Sequence, residues 1–136
     1  MTDVFAFCTL PAKRVIAEAL NLAPLTSPPV TVQTFDPTVL QADIIYIRLH
    51  GLPMIPNRWF GEDKDGNLIA AMGIEHVAAM ELSGSVIILA NCYGAESPMV
   101  NEFYKAGARA VIAGSGPNYA STERIVGADL LSARII

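Results

Sequence analysis

Charge is scarce in this chain. Only 16% of the residues are Asp, Glu, Lys or Arg, and the nine basic side chains are scattered, so the sequence offers no electrostatic footprint for a phosphate backbone. The formal net charge is −4, and nucleic acid is not expected as a partner. Long apolar runs are missing too: none approaches the ~18 residues of a membrane helix, so no membrane partner is expected. The start Met1-Thr2-Asp3-Val4 lacks the basic flank of a signal peptide, which makes the cytoplasm the expected location. Cysteine occurs only as Cys8 and Cys92, so free thiols are expected in place of a structural disulfide. The sequence also shows no internal repeat and no low-complexity tract.

What is present is apolar. Of the 136 residues 52% are hydrophobic, enough for a single domain over 1–136 whose sheet is covered on both faces or whose surface is covered by a partner. A homo-oligomer fits the second case. Val4 to Cys8 predicts a strand, and Pro11 suits the first turn of a helix carrying Val15, Ile16, Ala19 and Leu20 on one face. Residues 23–29 hold three prolines and predict a loop. The β-branched run Val30 to Phe35 predicts a second strand, with a helical turn opened by Asp36-Pro37. Ile44 to Leu49 is the third strand, apolar enough for the interior of a parallel sheet. From Leu52 to Asn67, prolines, glycines and the Asp65-Gly66 turn predict a small hairpin or lid around Trp59-Phe60. An alanine- and methionine-rich helix is expected from about Ile69 to Leu82, then a strand ending at Cys92. Ser97-Pro98 predicts a helix start and Gly107 its left-handed end. Ala110 to Ala113 is the fifth strand, and a last helix is expected near Ser121 or Thr122. This alternation is the pattern of an α/β sandwich with a mostly parallel sheet.

Several motifs fail on spacing. Asp63-Lys64-Asp65-Gly66-Asn67 resembles the start of an EF-hand loop, but its sixth position is Leu68 and its twelfth Ile74, where glycine and glutamate belong. Gly114-Ser115-Gly116 could cradle an anion with main-chain N–H groups, yet Tyr119 stands where a dinucleotide fingerprint needs its third glycine. A tight turn is the better reading there, with a small-anion site as the rival. His76 has no second His or Cys three or four residues away, so neither metal nor cofactor is expected. Cys8 reads as a buried small residue.

The pair His50 and Cys92 stands apart. Each closes an apolar strand, 42 residues from the other (92 − 50), and in an open parallel sheet chemistry collects beyond the carboxyl ends of the strands. A thiol near neutral pH needs an adjacent base to act as a nucleophile, and His50 could supply it. The N–H groups of Gly51 and Cys92 could stabilise an oxyanion. Arg48 shares a strand face with His50; it is read as a salt bridge at the sheet's end or as a group for a substrate carboxylate.

With these residues in view, the chain resembles the caspase-like superfamily of cysteine peptidases, which includes caspases, legumains, gingipains and CHAT domains. The resemblance rests on a strand ending His50-Gly51, a strand ending at Cys92 with Gly94 after it, then Phe103 and Ala106-Gly107-Ala108-Arg109 before a strand. It spans Ile44 to Tyr119 and is nearest the CHAT branch. It implies a three-layer caspase-like fold, Cys92 as nucleophile, His50 as general acid/base, Gly51 and Cys92 as oxyanion hole, and a peptide or protein substrate. Arg48, Ala90, Asn91 and Gly94 are the expected substrate-binding positions. The alternative is a non-catalytic interaction or assembly module that keeps the residues without the activity.

Overall fold

The computed structural model describes residues 2–118 and 120–136; Met1 and Tyr119 lie outside them. The order is β1 (Val4–Thr9), α1 (Lys13–Leu20), β2 (Leu25–Ser27), β3 (Ile44–Arg48), β4 (His50–Leu52), β5 (Ile55–Glu62) and β6 (Leu68–Gly73). Then follow α2 (Ile74–Ala78), β7 (Val86–Leu89), α3 (Met99–Lys105), β8 (Ala110–Ala113) and α4 (Gly127–Ile135). Five strands form one parallel sheet in the order β2-β1-β3-β7-β8, and β4, β5 and β6 form a separate antiparallel sheet.

Side-chain alternation in the central strands divides the core in two. Ile45, Ile47 and Leu49 of the β3 segment, with Ile87 and Leu89 of β7, bury against Trp59 and Met72 of the small sheet and against Met99 and Phe103 of α3. Tyr46, Ile88 and Ala90 point the other way, into a core with Cys8, Val15 and Ile16, on which Ala128 of α4 also packs. The main sheet is therefore covered on both faces, which explains its continuous apolar strands.

Local chemistry accounts for most boundaries. Helix α1 follows a 3₁₀ turn at Leu10–Ala12 that holds Pro11, buries Val15, Ile16 and Leu20, and ends at Asn21 with φ 54°. Ser97 Oγ accepts from the N–H of Met99 at 3.2 Å at the start of α3. Gly107, with φ +111°, follows α3 where a Cβ would overlap the carbonyl oxygen of Leu82.

Three expectations are corrected. Residues 30–35 are turns, because Thr34 Oγ1 takes the N–H of Thr31 at 2.9 Å and the Thr31 carbonyl takes the N–H groups of Thr34 and Phe35. The second strand is instead the three-residue β2 within the proline-rich segment, paired with β1. The expected helix over 69–82 is split: its first part is β6, which pairs with β5 through Trp59↔Met72 and Phe60↔Ala70, and only Ile74–Ala78 is helical. Ser121 caps a turn by accepting from the N–H groups of Glu123 and Arg124, and α4 begins later, at Gly127.

One buried ion pair ties α4 to the centre of the sheet. Arg48 Nη1 meets Asp129 Oδ2 at 2.6 Å, and the Tyr46 hydroxyl donates to Asp129 Oδ1. Burial pushes the Asp129 carboxyl upward, a tendency opposed by the Tyr46 hydroxyl and the Arg48 guanidinium; burial likewise raises the Tyr46 phenol. Asp129 is 1% exposed and Arg48 9%, so neither has water as a substitute partner. Asp129→Ala, which leaves a buried guanidinium unpaired, is expected to cost about 3–5 kcal/mol. Urea unfolding checks this: the midpoint should fall at an unchanged slope.

Candidate active site

The β3–β7 ladder pairs Ile44 with Val86 and Ile47 with Leu89, a constant 42-residue offset, and His50 and Cys92, also 42 residues apart, follow its end on the two chains. The last main-chain bond of the ladder runs from the Ala90 N–H to the Ile47 carbonyl at 2.8 Å. One residue on, a side chain takes over, as Asn91 Oδ1 accepts from the Leu49 N–H at 2.8 Å across the same 42-residue separation. This clamp fixes the two chain ends from which His50 and Cys92 project. The amide nitrogen of the same side chain, Asn91 Nδ2, is buried with no hydrogen-bond partner among the described residues.

Beyond the ladder the two chains part. His50 opens β4 and starts the antiparallel sheet, where it pairs with Phe60. Glu62 lies two residues past Phe60 on the same strand face, and its Oε1 sits 2.7 Å from His50 Nε2. An ionised carboxylate only accepts, so Nε2 is the donor in this contact. Both side chains are partly exposed, so the pair orients the ring more than it stabilises the fold.

Cys92 sits in a sharp bend. Tyr93 has φ 58°, an unusual conformation for a non-glycine residue, and its N–H donates to the Gly116 carbonyl at 2.7 Å. The sulfur accepts from the Asn118 N–H at 3.1 Å and its S–H reaches the Asn118 carbonyl at 3.6 Å. Gly51 is required on the opposite side, where a Cβ would overlap the Cys92 carbonyl oxygen. Gly51 and Cys92 are thus in main-chain contact. Among the described residues no hydrogen bond joins His50 to Cys92.

Two cavities flank Cys92. One, of about 250 Å³, is bordered by His50, Glu62, Arg48, Ala90, Asn118 and Thr122, so several polar side chains reach an otherwise apolar wall. The other, of about 130 Å³, lies over Trp59 and is bordered by Gly51 and the tip of the β4–β5 hairpin.

The structure brings together His50, Cys92, Gly51 and Ala90 of the residues singled out in the sequence. Arg48 reaches the polar cavity but is engaged by Asp129, Asn91 is the interstrand clamp, and Gly94 is buried beside Leu89 and Ala113 and lines neither cavity. Glu62 and Asn118 were not anticipated. The signal for Glu62 is hairpin arithmetic, visible only once β5 is known to return antiparallel to β4. Asn118 follows a glycine-rich turn, and nothing in its own neighbourhood marks it.

The discarded motifs have local explanations. Asp63 Oδ1 accepts from the N–H groups of Asp65 and Asn67, both at 2.9 Å, which closes the β5–β6 turn with the acidic side chain itself and holds that carboxyl below its ordinary range through the Asn67 contacts first. The Gly116 N–H is occupied by the Glu96 carboxylate, at 3.1 and 3.4 Å, so a carboxylate of this chain already fills the turn considered for an anion. His76 takes the Gly73 N–H on Nδ1 at 3.0 Å and faces the Val32 carbonyl through Nε2 at 3.1 Å. No group of three or more His, Cys, Asp and Glu among the described residues could hold a metal, and no described helix is long and apolar enough to cross a membrane.

No protein-family model matches the chain, and comparison with curated proteins and with solved structures returns no match.

The two thiols differ in kind. Cys8 is fully buried, and burial pushes it up to about 12, whereas Cys92 borders both cavities. Iodoacetamide on the native protein at pH 9 is expected to label Cys92 alone, with Cys8 labelling only in urea; peptide mapping distinguishes the sites. Because the folded-state value of Cys8 is raised, its contribution to stability is full below the range of a free thiol. It is lost as pH rises through about 12.

Proposed function

We propose that this chain is a cysteine peptidase of caspase-like fold, in which Cys92 is the nucleophile, His50 the general acid/base and Glu62 the residue that positions the His50 ring. The supporting observation is the shared cavity: His50 and Cys92, which follow the ends of adjacent parallel strands, both border it, and Glu62 holds Nε2 of the His50 ring. A thiol, an imidazole and an orienting carboxylate around one cavity are the groups that covalent acyl transfer uses.

The steps follow from the atoms. His50 Nδ1 takes the proton of the Cys92 thiol, and the sulfur attacks the carbonyl carbon of an extended peptide while the N–H groups of Gly51 and Cys92 receive the developing oxyanion. The C–N bond breaks as the imidazolium returns its proton to the leaving amine, which leaves a thioester on Cys92. Water then attacks the thioester carbon, gives its proton to His50, and the C–S bond breaks to release the acid and restore the thiol. Through both half-reactions the Glu62 carboxylate balances the imidazolium charge and keeps Nε2 protonated.

A second reading, a non-catalytic interaction module, draws on a specific observation: the hydrogen bonds of His50 and Cys92 run to Glu62 and Asn118 and not to each other. Peptide-library hydrolysis separates the two. Cys92→Ala is expected to abolish turnover, His50→Ala to lower kcat by about 10²–10⁴-fold, and Glu62→Gln to lower it less while distorting the pH profile. Turnover that survives unchanged in Cys92→Ala overturns the peptidase reading.

A further inference from the structure

The two cavities beside Cys92 are chemically unlike, and on the peptidase reading that asymmetry assigns them different tasks. On one side stand His50, Glu62, Thr122 and Asn118, polar groups suited to hold the attacking water. On the other, Leu52, Pro53, Ile55, Pro56, Trp59 and Tyr93 surround a cavity whose polar neighbours are already committed. Ser97 Oγ donates to the Pro56 carbonyl at 3.0 Å and accepts from the Met99 N–H, while the Glu96 carboxylate takes the Gly116 N–H. An anionic side chain entering here would lose water and face the Glu96 carboxylate, and a cationic one would meet only that exposed group, a contact worth little in water. An apolar one would lose nothing.

Size limits the guest. The cavity holds about 130 Å³, somewhat less than the ~150 Å³ apolar cavities that accept a benzene ring, so a branched aliphatic group fits and a larger ring does not fit wholly. Its floor is fixed: Trp59 is 1% exposed and stacks on Phe103 with ring centroids 6.2 Å apart. Its rim continues into the hairpin tip, where Met54 is 91% exposed and Ile55 40%, an apolar approach to the site.

We propose that this cavity is the specificity pocket of the enzyme and takes a medium-sized aliphatic side chain of a residue flanking the scissile bond. Substrates are then peptides with a leucine- or valine-like residue next to the cut. The proposal rests on the peptidase reading for its substrate, but the pocket can be probed without turnover.

The test uses three alkylating reagents on the native full chain: N-isobutyl-iodoacetamide, N-(carboxymethyl)iodoacetamide and N-(2-aminoethyl)iodoacetamide. In each reaction the Cys92 sulfur displaces iodide, a C–S bond replaces a C–I bond, and the thiol proton is taken up by His50. Rates are read at Cys92 by peptide mapping and divided by those of N-acetylcysteine. The isobutyl reagent is expected to exceed both charged reagents by about tenfold or more, the discrimination an apolar pocket gives. Ile55→Glu, at the rim and partly exposed, should erase that preference, whereas Met54→Glu, outside the pocket, should preserve it. Equal normalised rates, or a charged reagent ahead, overturn the pocket. A plain iodoacetamide rate indifferent to His50→Ala at every pH overturns the peptidase reading instead, so the two failures are told apart.

Discussion

The parallel pairing of β3 with β7 is the constraint on which the rest depends. A parallel ladder has a single register, and a slip of one residue would turn every side chain to the other face. Here Ile45, Ile47, Ile87 and Leu89 must all enter the same core, so the hydrophobic pattern that folds the sheet also sets the height at which His50 and Cys92 emerge. Site geometry is in this sense a by-product of core burial. The Asn91 clamp extends the register one step past the point where the main chain stops supplying it.

Around that axis the molecule uses polar groups sparingly, each where a chain end needs fixing. Arg48, at the end of β3, is matched by Asp129 of α4 in a pair shut off from water, with Tyr46 adding a third member. Such pairs are poor sources of net stability but discriminate strongly among arrangements, since any misplacement strands a charge. The turn after β8 is joined to the bend after Cys92 by the Tyr93 to Gly116 and Ala95 to Gly114 bonds and by Glu96. Cys92 is thereby held from three directions: its own strand, Gly51, and the chain at Asn118.

Much of this was legible in the residues. The apolar runs at Val4, Ile44, Val86 and Ala110 are strands because a sheet covered on both faces demands uninterrupted apolarity, and their ends pointed to His50 and Cys92. Legibility failed where tertiary context outweighs local preference. The threonines at 31 and 34 favour strands by propensity, but the Thr34 hydroxyl serves the Thr31 backbone and the two hydroxyls meet each other, which makes a turn. Leu68 to Gly73 has helix-forming composition, yet β5 offers it a partner, and Met72 gains burial beside Trp59. Glu62 and Asp129 escaped notice for a related reason. Each acquires meaning only from a residue far along the chain, and no local pattern records such a meeting.

Trp59 belongs by backbone to the small antiparallel sheet and by packing to the main core, where it meets Phe103. The hairpin is therefore riveted to helix α3 and not hinged over the site. On the proposed reading, recognition by such a surface works as a template: a substrate docking beside Cys92 must conform to a shape already cast when the chain folded. Evolution of a new preference would then proceed through substitutions at the hairpin tip, where change is cheap, while the indole beneath keeps the mould in place.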